Sequence, residues 1–315
     1  MVYILFIMGF VLLVYGANWL VDGAASIAKR HNISNVVIGM TIVALGTSAP
    51  ELVVNLVASF KNTADVALGN ILGSNIANIF LILGVSALIF PLAVNKNTFY
   101  KEVPFAVLGA LLFGILANDL FLAGSDQLSV SRINGFVLIA FFVLFMIYAF
   151  GISRTKGTSA EAVIKEFPFW RSLLMVVVGL IALVAGGRWI VDGAIEIAAL
   201  LGMSESVISL TIVALGTSLP ELATCIAAAL KRNADIVIGN VLGSNVFNIF
   251  FVMGSSAVIK PLPFNPVLNF DVVIGIISVL LLWVFLIISG QRTLRRWHGG
   301  VFVVMYVAYI MFLVS

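Results

Sequence analysis

Glu51 and Glu221 are the residues of this chain that their surroundings least accommodate. Each closes a Gly-Thr-Ser-x-Pro-Glu motif, Gly46 to Glu51 and Gly216 to Glu221, inside an otherwise apolar run. A charge near the centre of a bilayer costs about 3 kcal/mol or more, so a carboxylate written twice into such runs points to function. Gly46 and Pro50 interrupt helix, as do Gly216 and Pro220, and carbonyls at the interruption lose their intrahelical donors and can face a cation. Thr47, Ser48, Thr217 and Ser218 add hydroxyls and loosened carbonyls, and Ala44 and Ala214 add carbonyls one turn earlier. Pro50 and Pro220 are expected to start second half-helices, where a missing N–H costs little. Two carboxylates brought together repel unless a cation or a proton lies between them. Ca²⁺, a hard ion that takes about 6–8 oxygen ligands, would neutralise such a pair.

A second motif supplies more oxygen. Asn70, Ser74 and Asn78 fall at i, i+4 and i+8, on roughly one helical face. Gly69 and Gly73 form a G-x-x-x-G pair that lets this helix approach another closely. Gly239, Asn240, Gly243, Ser244 and Asn248 repeat the arrangement. Asn70 and Asn240 are read either as structural hydrogen bonds between helices or as ion contacts. No soft ligands accompany these groups: His31 and His298 lie near connectors and Cys225 stands alone. There is no phosphate-binding Gly-rich loop and no Ser/His/Asp set, so the chain reads as neither an enzyme nor an ATP-driven pump, and it needs no cofactor.

The elements that must position these residues are membrane spans. The 315 residues are 62% hydrophobic and 10% charged, with mean hydropathy +1.19, whereas soluble domains are nearer 45–50% apolar and about 25% charged. This is a polytopic, all-α membrane protein whose solvent is the lipid bilayer. The net charge of +3 gives no reason to expect nucleic acid, and nothing points to an obligate protein partner. One cysteine excludes an intrachain disulfide framework. Without a basic segment before Val2 to Tyr15 or an A-x-A site, the N-terminus reads as a retained span and not a signal peptide. Ten spans are expected, at about 2–21, 36–60, 66–90, 103–118, 133–152, 171–190, 206–229, 236–259, 270–288 and 299–314. With the N-terminus outside, thirteen basic residues fall in cytoplasmic connectors and four outside, the positive-inside bias of a multi-pass inner (plasma) membrane protein with both termini extracytoplasmic.

The chain is also written twice. Asn18 to Ala24 returns as Arg188 to Ala194, Thr41 to Ser48 returns identically as Thr211 to Ser218, and Leu72 to Asn75 returns at 242–245, always 170 residues on. Five spans per copy is an odd number, so the copies must enter the membrane with opposite polarity, with a binding site at midplane where they meet. The expected division is 1–152 for the first five-helix repeat, 153–170 for a cytoplasmic linker and 171–315 for the second, inverted repeat, with helices 2 and 7 broken. Asp22 and Asp192, at expected span ends, read as caps or gate-edge charges. Asp65 and Asp235 read as caps for spans 3 and 8.

These paired motifs in a ten-span inverted repeat closely resemble the sodium/calcium exchanger family, of the short prokaryotic type, over essentially the whole chain. The resemblance implies a Na⁺/Ca²⁺ antiporter working by alternating access, in which spans 1 and 6 slide across the rest. It implies first-half ligands Thr47, Ser48, Glu51, Ser74 and Asn78, and second-half ligands Thr217, Ser218, Glu221, Ser244 and Asn248. Carbonyls of Ala44 and Ala214 would help to hold Na⁺. Some family members carry Asp where this chain has Asn248, so this site has two formal charges. About three Na⁺ are expected to alternate with one Ca²⁺, moving net charge. A Ca²⁺/H⁺ exchanger, or another cation/H⁺ exchanger, is the alternative within transporters, and a passive cation channel is the alternative outside them.

Overall fold

The computed structural model describes residues 2–61, 63–118, 128–151, 165–200 and 214–314. Its first helix, α1 (Val2–Arg30), does not stop where charge begins. The sequence ends this span near residue 21, at Asp22, but the helix continues for two more turns. Ala-rich sequence favours it, Lys29 and Arg30 suit the negative end of the helix dipole, and Asp22 finds a partner in Lys231 at 2.7 Å. Asp22 is therefore inside a helix and does not cap one. The same holds for Asp192, since α7 (Phe169–Leu200) outruns the expected 171–190.

The chain then breaks as its glycines and prolines predict. Asn35–Thr47 (α2) and Ala49–Lys61 (α3) meet at 46° across Ser48. In the second copy, Ala214–Thr217 (α8) gives way to Leu219–Leu230 (α9) across Ser218. Residues 206–213 of that expected span lie outside the described residues. The remaining helices are α4 (Ala64–Ile89), α5 (Thr98–Ala117), α6 (Arg132–Gly151), α10 (Ala234–Ile259), α11 (Pro266–Ile288) and α12 (Arg296–Val314). Among the described residues, eight helices are long and apolar enough to cross a bilayer, and the bent pair α2–α3 makes nine. Thr63 and Asn233, and neither aspartate, occupy the caps of α4 and α10; the Asn233 side chain accepts from Ile236 N–H. Asp65 and Asp235 sit instead in the first turn, where the helix dipole favours a negative charge.

Burial separates core from rim. The apolar windows of α4 and α10 are 78% and 94% buried, against 28% for α1, α6 and α12. A helix apolar all round and enclosed is a core element; one that leaves an apolar face uncovered meets lipid. Each core helix passes into a π-helical turn at the last residue of its polar motif, Asn78–Leu83 in α4 and Phe247–Met253, which holds Asn248, in α10, and a further one, Gly39–Val43, precedes Ala44. Such turns insert a residue into the i→i−4 ladder and cluster at functional sites.

Glycine sets how closely the helices approach. α1 and α7 run antiparallel with Gly9 against Gly186 and Gly16 against Gly179, so tightly that a Cβ on Gly16 would stand 2.8 Å from the Gly179 carbonyl oxygen. Gly239 and Gly243 of α10 press in the same way on the Val36 to Ala44 stretch of α2. Their counterparts Gly69 and Gly73 have no close neighbour among the described residues. Two short antiparallel strand pairs tie connectors across the copies: Leu92–Ala93 (β1) with Thr293–Leu294 (β4), and Ser129–Val130 (β2) with Leu262–Pro263 (β3).

Candidate ion-binding site

Glu51 and Glu221 each sit in the first turn after a helix break, one near the start of α3 and the other near the start of α9, each 1% exposed. Both breaks fall where the following Pro cannot donate an N–H to the preceding turn. The crossed contacts of Ser48 with Glu221 and of Ser218 with Glu51 put both carboxylates in one cluster. None of the ion pairs among the described residues reaches either of them. Other acids differ: Asp22 has Lys231, Asp271 accepts the Tyr309 hydroxyl at 2.7 Å, and Glu102 accepts the Tyr148 hydroxyl at 3.1 Å.

The Ser48 and Ser218 hydroxyls each serve the carboxylate of the other copy. Ser48 Oγ donates to Glu221 Oε1 at 2.7 Å, with Ser244 Oγ 2.9 Å from Ser48 Oγ. Ser218 Oγ donates to Glu51 Oε1 at 3.4 Å, with Ser74 Oγ 3.3 Å from Ser218 Oγ and 3.5 Å from Glu51 Oε1. Thr47 Oγ1 donates to Asn240 Oδ1 at 3.2 Å, and Thr217 Oγ1 to Asn70 Oδ1 at 3.3 Å. Asn70 and Asn240 thus hold the threonines across the interface. Asn70 in turn donates to Asn55 Oδ1 at 2.7 Å, and Asn240 to Cys225 Sγ at 3.3 Å. The lone cysteine is a buried packing and acceptor group.

One turn beyond the serines, Asn78 and Asn248 complete the cluster. Asn78 Nδ2 donates to Asn245 Oδ1 at 2.9 Å and Asn248 Nδ2 to Asn75 Oδ1 at 3.1 Å. Their amide nitrogens are spent on a neighbour and their oxygens are not. Glu51 Oε2, Glu221 Oε2, Asn78 Oδ1 and Asn248 Oδ1 are all buried without a hydrogen-bond partner. Leaving a buried polar atom unpaired costs about 1–3 kcal/mol, and more for a charged one. Four acceptors in one cluster, two of them carboxylate oxygens, fit a hard cation as ligand set. Among the described residues no three of His, Cys, Asp and Glu gather into a softer metal site.

The Ala44 carbonyl is already partnered in this structure. Ala44 O already accepts Ser48 N–H at 3.0 Å and the Thr47 hydroxyl at 3.4 Å, so the break does not leave it unpartnered. Ala214 opens α8 at the edge of the described residues. Sequence reasoning also passed over Asn75 and Asn245 as holders of the site. They stood in the repeated Gly-Ser-Asn motif, but spacing alone does not say which of two asparagines three residues apart faces inward.

A helical membrane bundle with broken helices converging on buried, cation-seeking oxygens defines a class, the multi-pass ion transporters. Within that class the chain matches the sodium/calcium exchanger protein family over residues 1–151 and 171–315, and it belongs to that family. It is 41% identical to the putative antiporter CaxA of Alkalimonas amylolytica over 81% of this chain and 80% of that one. It is 31% identical to the sodium/calcium exchanger MaX1 of Methanosarcina acetivorans over 99% and 98% of the two chains. Its fold superposes on the solved sodium-calcium exchanger NCX_Mj, soaked with Na⁺ and Sr²⁺, with a TM-score of 0.85 and 35% identity, covering 98% of this chain and 97% of that one. The protein is thus a membrane antiporter of the sodium/calcium exchanger type.

Proposed function

We propose that this protein exports Ca²⁺ across the cytoplasmic membrane in exchange for entering Na⁺, both ions using the cluster around Glu51 and Glu221 in turn. The observation that carries this reading is the set of four unpartnered oxygens on Glu51, Glu221, Asn78 and Asn248, two from each copy. Thr47, Ser48, Ser74, Thr217, Ser218 and Ser244 complete the shells, and the carbonyls of Ala44 and Ala214 join them once the break opens further. Two carboxylates give the site a formal charge of about −2, neutral with one Ca²⁺ and +1 with about three Na⁺. The loaded forms then differ by one charge, which a membrane potential weights by about 2.3 kcal/mol per 100 mV.

Access alternates in this reading as α1 and α7 move across a core built on α4 and α10. The 170-residue offset and the antiparallel packing of α1 on α7 support two inverted five-helix repeats, 1–152 and 171–315, joined by a cytoplasmic linker at 153–170. That arrangement has ten spans, both termini outside and the thirteen cytoplasmic basic residues inside. The likeness to MaX1 and NCX_Mj, both sodium/calcium exchangers, supports Na⁺ as the coupling ion. A proton reading has its own support, because two buried carboxylates with hydroxyl neighbours hold a proton as readily as a cation.

The test is Ca²⁺ uptake into proteoliposomes loaded with Na⁺ or with an impermeant cation, at clamped pH and at set potentials. Exchange at the proposed stoichiometry needs the Na⁺ gradient and changes rate with potential. Uptake driven by a pH gradient alone would replace Na⁺ with H⁺. Voltage-insensitive exchange would remove the three-for-one stoichiometry, and Ca²⁺ flux without any counter-ion would mean a channel.

A further inference from the structure

The amides of Asn78 and Asn248 are aimed by a second pair of asparagines. Asn75 and Asn245 stand three residues earlier on α4 and α10 and are buried. Asn75 Oδ1 accepts from Asn248 Nδ2 at 3.1 Å, and Asn245 Oδ1 accepts from Asn78 Nδ2 at 2.9 Å. Their own nitrogens cross between the helices: Asn75 Nδ2 donates to the Asn245 main-chain oxygen at 3.3 Å, and Asn245 Nδ2 to the Asn75 main-chain oxygen at 3.4 Å.

This connectivity fixes polarity. A side-chain amide turned by half a rotation offers N–H groups where it had offered an oxygen, and N–H groups repel a cation. A main-chain carbonyl can only accept. It therefore draws the nitrogen of Asn75 or Asn245 and leaves the oxygen of that amide facing the other way. That oxygen in turn draws the nitrogen of the next amide, Asn248 or Asn78, and so leaves its oxygen on the far side, unpartnered. Rotating every amide in the relay would set oxygen against carbonyl oxygen at both crossings. The small cavity beside Asn75 and Asn245 is lined, among the described residues, by these two and by apolar or glycine positions such as Leu72, Ala110 and Val279, so it supplies no rival side-chain acceptor.

We propose that Asn75 and Asn245 are positioning residues that set the oxygen ends of Asn248 and Asn78 toward the transported cation, each copy orienting the ligand of the other. The proposal rests on the reading that Asn78 and Asn248 face that cation. It gives Asn75 and Asn245 the part that second-layer partners play at metal sites, where their loss lowers metal affinity about 10–100-fold.

The test compares Asn75→Leu, which removes the acceptor at similar volume, with Asn75→Asp, which keeps it, and repeats the pair as Asn245→Leu and Asn245→Asp. Each full-length protein is checked for monodispersity and for its melting temperature without cation. Ca²⁺ affinity is read as the half-saturation concentration for Ca²⁺ uptake in proteoliposomes and as the Ca²⁺-induced rise in melting temperature. The leucine variants are expected to raise half-saturation about tenfold or more with little change in maximal rate; the aspartate variants keep the acceptor but set an oxygen against the main-chain carbonyl, and are expected to raise it by clearly less than tenfold. Unchanged half-saturation in folded leucine variants would overturn the proposal, as would aspartate variants as impaired as the leucine ones. Should a leucine variant not fold, the aspartate variant against wild type decides by the same criterion. A wild type without Na⁺-dependent flux would sink the exchange reading alone, because the Ca²⁺-induced thermal shift still decides the positioning role.

Discussion

Lys231 Nζ lies 2.7 Å from Asp22 Oδ1 and donates to the Asn18 carbonyl at 3.1 Å, tying the end of α9 to α1. The equivalents 170 residues away are Lys61, for Lys231, and Asp192, for Asp22. No ion pair joins these two among the described residues; Asp192 stands 3.8 Å from Arg188, both largely exposed. The two ends of the α1–α7 pair are therefore not equivalent in this structure: one is latched and its counterpart is not. For an antiporter that alternates access, the opposite state is expected to exchange the latches. Asp22→Cys with Lys231→Cys should cross-link in one ionic condition, and Lys61→Cys with Asp192→Cys in the opposite one, read as a gel shift with buried Cys225 left in place. Cross-linking of both pairs to the same extent under every Na⁺ and Ca²⁺ condition would contradict the exchange.

The latch is a modest one. Its side chains are 30% and 38% exposed, and pairs open to solvent contribute about 0.2–1 kcal/mol. Losing 1 kcal/mol moves an equilibrium about fivefold. Asp22→Asn is therefore expected to keep Ca²⁺ flux within about fivefold of wild type, shifting the balance of access states without touching ion binding. Complete loss of flux in a well-folded Asp22→Asn protein would place Asp22 among the ligands.

The central carboxylates should respond in the opposite way. Glu51→Gln or Glu221→Gln keeps the volume and removes one of two charges that have no basic partner among the described residues. Ca²⁺ uptake is expected to fall to background in either single variant and in the double variant. The cation-free protein is expected to melt no lower than wild type, because repulsion between the carboxylates is relieved. Gradient-driven flux in the double Gln variant would remove these residues from the site.

Much of this was legible before any coordinates. Glu51 and Glu221 stood out because a charge in an apolar run needs a reason, and the doubling of Gly-Thr-Ser-x-Pro-Glu supplied one. Ser48 and Ser218 came with that motif and Ser74 and Ser244 with the i, i+4, i+8 spacing of the next one, but their part as ligands came only from the family resemblance. The lengths of α1 and α7 did not, because Asp22 and Asp192 read as span ends when their neighbours are unknown, and Lys231 is 209 residues away from Asp22. The π turns that begin at Asn78 and that precede Ala44 were hidden too, since one extra residue in a turn leaves hydrophobic periodicity almost unchanged. The crossed bonds of Asn75 and Asn245 depend on which face of α4 meets α10, and a single sequence does not carry that.

The two serine–carboxylate contacts differ in length, and that difference is testable. Ser48 donates to Glu221 at 2.7 Å, whereas Ser218 reaches Glu51 at 3.4 Å. Removing a donor from a buried acceptor costs about 1–3 kcal/mol when the bond is well formed. Ser48→Ala is therefore expected to lower the cation-free melting temperature more than Ser218→Ala, while both raise the Ca²⁺ half-saturation concentration. Equal destabilisation by the two variants would show that the shorter bond carries no extra weight.

The glycine seam between α1 and α7 leads to a prediction about motion and not about binding. At Gly16 an added Cβ would stand 2.8 Å from the Gly179 carbonyl and 3.0 Å from Leu183 N, so main chain would have to move to admit it. At Gly187, on the same α7, the nearest atom to an added Cβ is 3.8 Å away, an ordinary contact. Gly16→Val is expected to jam the α1–α7 pair, so that Ca²⁺ flux is lost while Ca²⁺ still raises the melting temperature, because the ligands on α3, α4, α9 and α10 are untouched. Gly187→Ala should transport like wild type. If Gly16→Val kept full flux, α1 would not need to pass α7 at that spacing; if it lost the Ca²⁺-induced thermal shift as well, the seam would be shaping the ion site itself and not the movement around it.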